Sequence, residues 1–125
     1  MVDEKIYRIE QIVRDNVINP PFGVKELASK AGLSVSYLRE LVYKHCRMSP
    51  QDLIVSVRLE KAIEAMYRNH ALLYNISNDH GFTTYKSFSR ALRSRLDLSP
   101  QQCRELLISE EQKEKLLQKL WKKND

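Results

Sequence analysis

Ser36, Arg39, Glu40, Tyr43 and Arg47 recur at the spacing of one helix face, and so do Lys86, Ser89, Arg90, Arg93 and Asp97. Each set is a row of hydrogen-bonding and cationic side chains, able to pair with the donors and acceptors that base edges present in a DNA major groove. Each row is backed by an apolar stripe, Leu38, Leu41, Val42 and His45 in the first and Phe88, Ala91 and Leu92 in the second. One charged helix face is ordinarily a solvated surface. Two at matching positions, each behind a tight turn, point instead to a surface that meets nucleic acid.

Other chemistries lack their residues. A nucleophile with its base, a phosphate-binding loop and a metal-ligand set are not found, so neither an enzyme nor a cofactor is expected. His45, His70 and His80 share no ligand spacing, and Cys46 and Cys103 stand far apart with no second cysteine near either. Both thiols are expected to be buried and reduced.

The elements that position the two faces follow from periodicity and punctuation. The chain has 125 residues, a formal charge of +5 and 42% hydrophobic residues, enough for one core or two small ones. No apolar run approaches the roughly 20 residues that span a bilayer, and a signal peptide's layout is missing at the amino terminus, so a cytoplasmic location and no membrane partner are expected. Apolar residues recur at helical spacing and nowhere alternate, which predicts an all-α fold. A first helix over about Asp3 to Ile18, with Ile6, Ile9, Val13 and Val17 inward, must end before Pro20-Pro21. A short helix over Lys25 to Ala31, a turn at Gly32-Leu33-Ser34 and a helix over Val35 to Cys46 follow. Ser49-Pro50 starts a long helix: serine caps free amides, proline takes the first helical position, and Asp52 lies in the first turn. Leu53, Val57, Ala62, Ile63 and Met66 carry this helix to about Arg68.

The pattern then starts over. Leu73 to Asp79 repeats the short helix, Gly81-Phe82 the turn, about Thr84 to Arg95 the next helix, and Ser99-Pro100 the cap of another. Copies about fifty residues apart mark a duplicated helix-turn-helix unit. Ala28 and Ser77 are the small side chains that let two helices cross, Gly32 and Gly81 supply a positive φ, and Leu33 and Phe82 are the expected core plugs. The second turn is one residue longer. Beyond the repeat, "SEEQKEKLLQKLWKKND" carries a serine cap, early acids, late lysines and a cluster of Leu116, Leu117, Leu120 and Trp121, which predicts an additional helix. It is expected to dock on its own second subdomain, with self-association or partner binding as the rival.

The segments "ELASKAGLSVSYLRELVYKH", "MSPQDLIVSVRLEKAIEAM" and "GFTTYKSFSRALRSRLDLSP" together resemble the DNA-binding module of the AraC family of bacterial transcription regulators, over about Ile6 to Leu106. The resemblance implies about seven helices in two helix-turn-helix subdomains joined by a long central helix, here with one more helix at the carboxyl end. The implied bounds are 1–107 for the module and 109–122 for the extension, with helix-turn-helix motifs at about 24–47 and 72–96 and a linker helix at about 50–68. Each recognition helix would enter one of two successive major-groove segments. A central helix of about 17 residues is roughly 26 Å long, short of the ~34 Å between same-face grooves.

Carried over residue by residue, the resemblance makes Ser36, Arg39, Glu40 and Tyr43, with Tyr85, Lys86, Ser89 and Arg90, the base-contact candidates. Lys44, Arg47, Arg93 and Arg95 become phosphate partners, which orient without reading sequence. Glu40 could read a cytosine amino group or pair with Lys44, and Tyr43 could meet sugar and thymine methyl or cover the core rim. Arg58 and Lys61 receive no DNA role. Double-stranded DNA is the implied partner and RNA polymerase a further one. A sensor domain has no room here, so no small-molecule effector site is expected, and a stand-alone regulator and the output domain of a larger sensor or response regulator both remain open.

Three departures from the family stand out. Arg47 and Asp97 replace the glycines that usually end the recognition helices, so a left-handed cap is expected to be costlier or absent. Cys103 replaces an aromatic after the second Ser-Pro, and "ISNDHGF" carries Ser77 for the usual alanine. The loss of both glycines also supports an alternative, a helical protein-interaction module that keeps the fold without binding DNA.

Overall fold

Serine, threonine and glycine punctuation divides the apolar periodicity into eight helices among the described residues, 4–19 and 21–122 of a computed structural model. These are α1 (Glu4–Asn16), α2 (Val24–Ala31), α3 (Val35–Cys46), α4 (Pro50–Arg68), α5 (Leu73–Asp79), α6 (Tyr85–Leu96), α7 (Pro100–Leu106) and α8 (Glu110–Leu120). The described residues contain no strand, so the fold is all-α. The chain separates into two units at Val57 and Arg58. No helix among the described residues is long and apolar enough to cross a membrane.

In the first unit α1, α2 and α3 pack on one another. Ile6, Ile9, Val13 and Val17 are buried, as are Leu27, Ala28, Leu38, Leu41 and Val42. α1 stops at Asn16, short of the expected Ile18, and the Asn16 Nδ2 donates back to the Ile12 carbonyl at 2.7 Å. Asp3 and Pro20 lie outside the described residues. Two expectations need correction. Leu33, in the tight turn, is only half-buried, and so is Cys46 at the end of α3, whose Sγ lies 3.9 Å from Glu10 Oε1. Positions at the ends of helices have neighbours on fewer sides than mid-helix stripe positions.

The second unit repeats the motif and adds to it. Ile76, Phe82, Phe88, Leu92, Leu96 and Cys103 are buried. Burial pushes the Cys103 thiol up to about 11, so it stays protonated and unreactive near neutral pH. Gly32 (φ 70°) and Gly81 (φ 92°) both adopt the positive φ that their turns require. The following amides close the same bond in each copy, Leu33 N–H to Ala28 O at 3.0 Å and Phe82 N–H to Ser77 O at 3.2 Å. The second connection is longer because α5 ends before His80, whose Nδ1–H donates to the Ile76 carbonyl at 2.6 Å. Thr84, placed inside the helix by the sequence reading, caps it from outside.

α4 runs 19 residues and gives its start to one unit and its end to the other. Ser49 Oγ caps it by accepting the Asp52 N–H at 3.1 Å. Besides the expected apolar positions, Ile54, Ser56 and Leu59 are buried. A helix that supplies two cores buries more than one stripe. α7 starts on a full capping box, Ser99 with Gln102. α8 is capped by Ser109 and docks within its own unit through buried Leu116 and Leu120, while Leu117 and Trp121 are half-buried.

The left-handed caps are present, so of the two outcomes expected, a costlier cap or none, the structure shows the first. Arg47 (φ 57°) and Asp97 (φ 56°) both take the αL conformation, and their N–H groups donate to Tyr43 O at 2.9 Å and Arg93 O at 3.1 Å. The chain must reverse there to reach the Ser-Pro starts of α4 and α7, and the backbone bond fixes the reversal whatever the side chain. Each residue bears the steric cost of a Cβ in αL, about 1–2 kcal/mol, less for aspartate. Arg47→Gly and Asp97→Gly are therefore each expected to raise stability by about 0.5–1 kcal/mol, after the extra unfolded-state freedom of glycine is subtracted. Urea midpoints at unchanged slope measure it, and a drop for Arg47→Gly would refute the strain.

Candidate nucleic-acid interface

α3 and α6 are built alike from cap to cap. Ser34 Oγ accepts the Tyr37 N–H at 3.1 Å, and Thr84 Oγ1 accepts the Ser87 N–H at 3.0 Å. Each helix then runs 12 residues and ends on a left-handed residue. Their buried stripes, Leu38, Leu41 and Val42 against Phe88, Ala91, Leu92 and Leu96, turn the opposite faces outward. His45, placed on the first stripe by spacing, is half-buried.

On α3 the structure places Ser36, Arg39, Glu40, Tyr43 and Lys44 in solvent, with Arg47 just beyond. Tyr43 is 61% exposed, so it does not cover the core rim. Its ring lies 5.8 Å from the Arg47 guanidinium carbon, a cation–π contact that steadies both side chains. Arg39, Tyr43 and Arg47 are brought together along an open groove of about 520 Å³, whose far wall is the start of α4 with Ser49 and Asp52. Two cations and a phenol converge there against one carboxylate.

On α6, Lys86, Arg90 and Arg93 are exposed, whereas Tyr85, Ser89 and Arg95 are half-buried. The Tyr85 ring stands edge-on to Phe88, centroids 6.0 Å apart, so it belongs in part to the core. Arg93 Nη1 donates to the Asp97 carbonyl at 3.1 Å and to Asp97 Oδ1 at 3.3 Å. That pair is exposed and weak, so the guanidinium can exchange Asp97 for another anion at small cost. Arg58 and Lys61 on α4 are half-buried, and burial lowers the Arg58 pKa from its usual value. Among the described residues no group of three or more His, Cys, Asp or Glu could hold a metal ion.

One residue escaped the sequence reading. Tyr37, in the first turn of α3, accepts a hydrogen bond on its hydroxyl from Lys5 Nζ at 3.0 Å, and the same ammonium lies 5.2 Å from the ring centroid. The two residues are 32 positions apart, and no local pattern could have paired them.

Known proteins share this fold. A family model described as "Helix-turn-helix domain" matches residues 27–106. A solved structure of a transcriptional regulator with an AraC-type DNA-binding domain, from Chromobacterium violaceum, superposes with a TM-score of 0.77 at 19% identity, covering 86% of this chain and 95% of that one. The chain belongs to the AraC-type helix-turn-helix family. Among curated relatives, the HTH-type transcriptional regulator CdhR of Pseudomonas aeruginosa is 30% identical over 88 residues, 70% of this chain and 26% of that protein. Histidine kinase P4 of Formosa agariphila is 26% identical over 102 residues, 81% of this chain and 7% of that protein. The chain thus spans well under a third of either relative. Two of the departures noted in the sequence are buried in the second unit, Ser77 at 1% exposure and Cys103 at 0%.

Proposed function

We propose that this chain binds double-stranded DNA sequence-specifically and regulates transcription, with α3 and α6 as recognition helices for two successive major-groove segments. The observation that carries the proposal is the pair of identically capped helices, each turning a cationic, hydrogen-bonding face to solvent over a buried stripe. Arg39, Glu40 and Tyr43, with Ser36, read one box; Lys86, Ser89 and Arg90, with Tyr85 at the edge, read the other. Lys44, Arg47, Arg93 and Arg95 contact phosphates. The DNA-binding module is 1–107 and the extension 109–122. RNA polymerase is the further partner that such regulation calls for. The name of CdhR as a transcriptional regulator supports this reading. The protein-interaction alternative rested on the two missing glycines, and the left-handed caps at Arg47 and Asp97 remove that support.

Selection of bound sequences from random DNA tests the proposal directly and should return a defined site. Binding to that site should weaken steeply with salt, the log–log slope falling by about 0.9 for each phosphate neutralised. Four phosphate-facing cations predict a slope of about −3.6. Recovery of no consensus, together with a slope near zero, would sink the proposal.

A further inference from the structure

α8 lies beyond residue 106, where the match to the family ends, yet it packs on α6. Its attachments are specific. Trp121 Nε1 donates to Glu60 Oε1 at 2.7 Å, tying the end of α8 to α4. Lys113, held by Glu110 at 2.9 Å, lies with its ammonium 5.4 Å from the centre of the Tyr67 ring, again on α4. Between these anchors Lys119 Nζ reaches back 23 positions and donates to the Leu96 carbonyl at 3.2 Å. Leu96 is the last residue of α6, and its carbonyl is one of the four that a helix leaves without an intrahelical partner. A cation is favoured at that end by the helix dipole as well.

We infer that α8 is a brace for the second recognition helix, with Lys119 the positioning residue that fixes the end of α6 through the Leu96 carbonyl. The inference rests on the proposed DNA reading. α6 ends on a strained aspartate rather than a glycine, and the residues that face DNA, Lys86, Ser89, Arg90 and Arg93, are carried by the helix so ended. Small displacements at its last turn move Arg90 and Arg93 relative to a bound groove, whereas α3 and its own face have no share in the contact.

The test compares Lys119→Met, Lys119→Arg and Lys115→Met in the full chain. Lys115 pairs with Glu111 on the same helix and serves as the charge control. Without DNA, Lys119→Met should shift the Leu96 carbonyl-carbon resonance, and Lys115→Met should not. With DNA, Lys119→Met should lose about 5-fold in affinity for the selected site, the size of a charge at a helix end, and Lys119→Arg should restore it. On a probe with the second box scrambled, Lys119→Met should equal the parent chain. An unmoved Leu96 resonance overturns the brace, and so does an equal loss on both probes, which would make Lys119 a phosphate contact. A parent chain that ignores the second box overturns α6 as a reader instead, and the resonance shift still separates the two failures.

Discussion

Phe88→Ala should cost about 3–5 kcal/mol of stability, the largest effect expected of any single truncation in the second unit. Phe88 is fully buried on α6, its ring centroid 5.1 Å from Phe82 and 6.0 Å from Tyr85. Phe82 follows the turn glycine and Tyr85 opens α6, so the three rings join the turn to the helix it launches. Removing the middle one deletes the transfer energy of the ring and leaves a cavity that the flanking rings cannot close without moving the turn. Against a total of about 5–15 kcal/mol for a typical domain, that is a large share. Phe88→Leu keeps most of the apolar volume and should cost about 1 kcal/mol. Urea unfolding measures both, and hydrogen exchange should show the loss first in α5 to α7. A cost below 1 kcal/mol for the alanine variant would mean that the aromatic cluster does not hold α6.

What the sequence made legible was what local chemistry writes. Ser49-Pro50 and Ser99-Pro100 start helices at the expected residues, and α3, α5 and the end of α4 fall where the periodicity placed them. Burial beyond one stripe was not legible: Ile54 and Leu59 lie off the α4 pattern because that helix supplies two cores. Whether the left-handed caps would form at a cost or be absent was left open for a similar reason. Propensity argued against Arg47 and Asp97 in αL, but the reversal between two well-capped helices outweighs about 1–2 kcal/mol of local strain. On the candidate site, the exposed faces were legible from the wheel, while the half-burial of Tyr85, Ser89 and Arg95 depends on neighbours from elsewhere. Contacts across long separations were out of reach altogether, Lys5 with Tyr37, Lys119 with Leu96 and Trp121 with Glu60, since hydrogen-bond partners that far apart leave no periodic trace.

Arg39→Ala and Arg90→Ala should each relax sequence preference in a different half of the selected site, by about 1–3 kcal/mol. Both side chains are exposed on their helices, as base readout requires. From cap to cap the two helices correspond position by position, so Arg39 is matched by Ser89, Glu40 by Arg90 and Tyr43 by Arg93. Equivalent points therefore present a cation against a hydroxyl, an acceptor against a cation, and a phenol against a cation. Two such faces cannot read the same half-site. Carried in tandem on one chain, without the two-fold symmetry of a homodimer, they should select an asymmetric site of two unlike boxes about one helical turn apart, and not a palindrome. An arginine bidentate to guanine is the commonest specific contact, so each alanine variant should lose discrimination at a guanine in its own box while leaving the other box as sharply read as before. Repeating the selection with each variant reads this out. A single box in the parent's consensus, with Arg90→Ala changing neither affinity nor preference, would leave α3 as the only reader and reduce α6 to a backbone clamp.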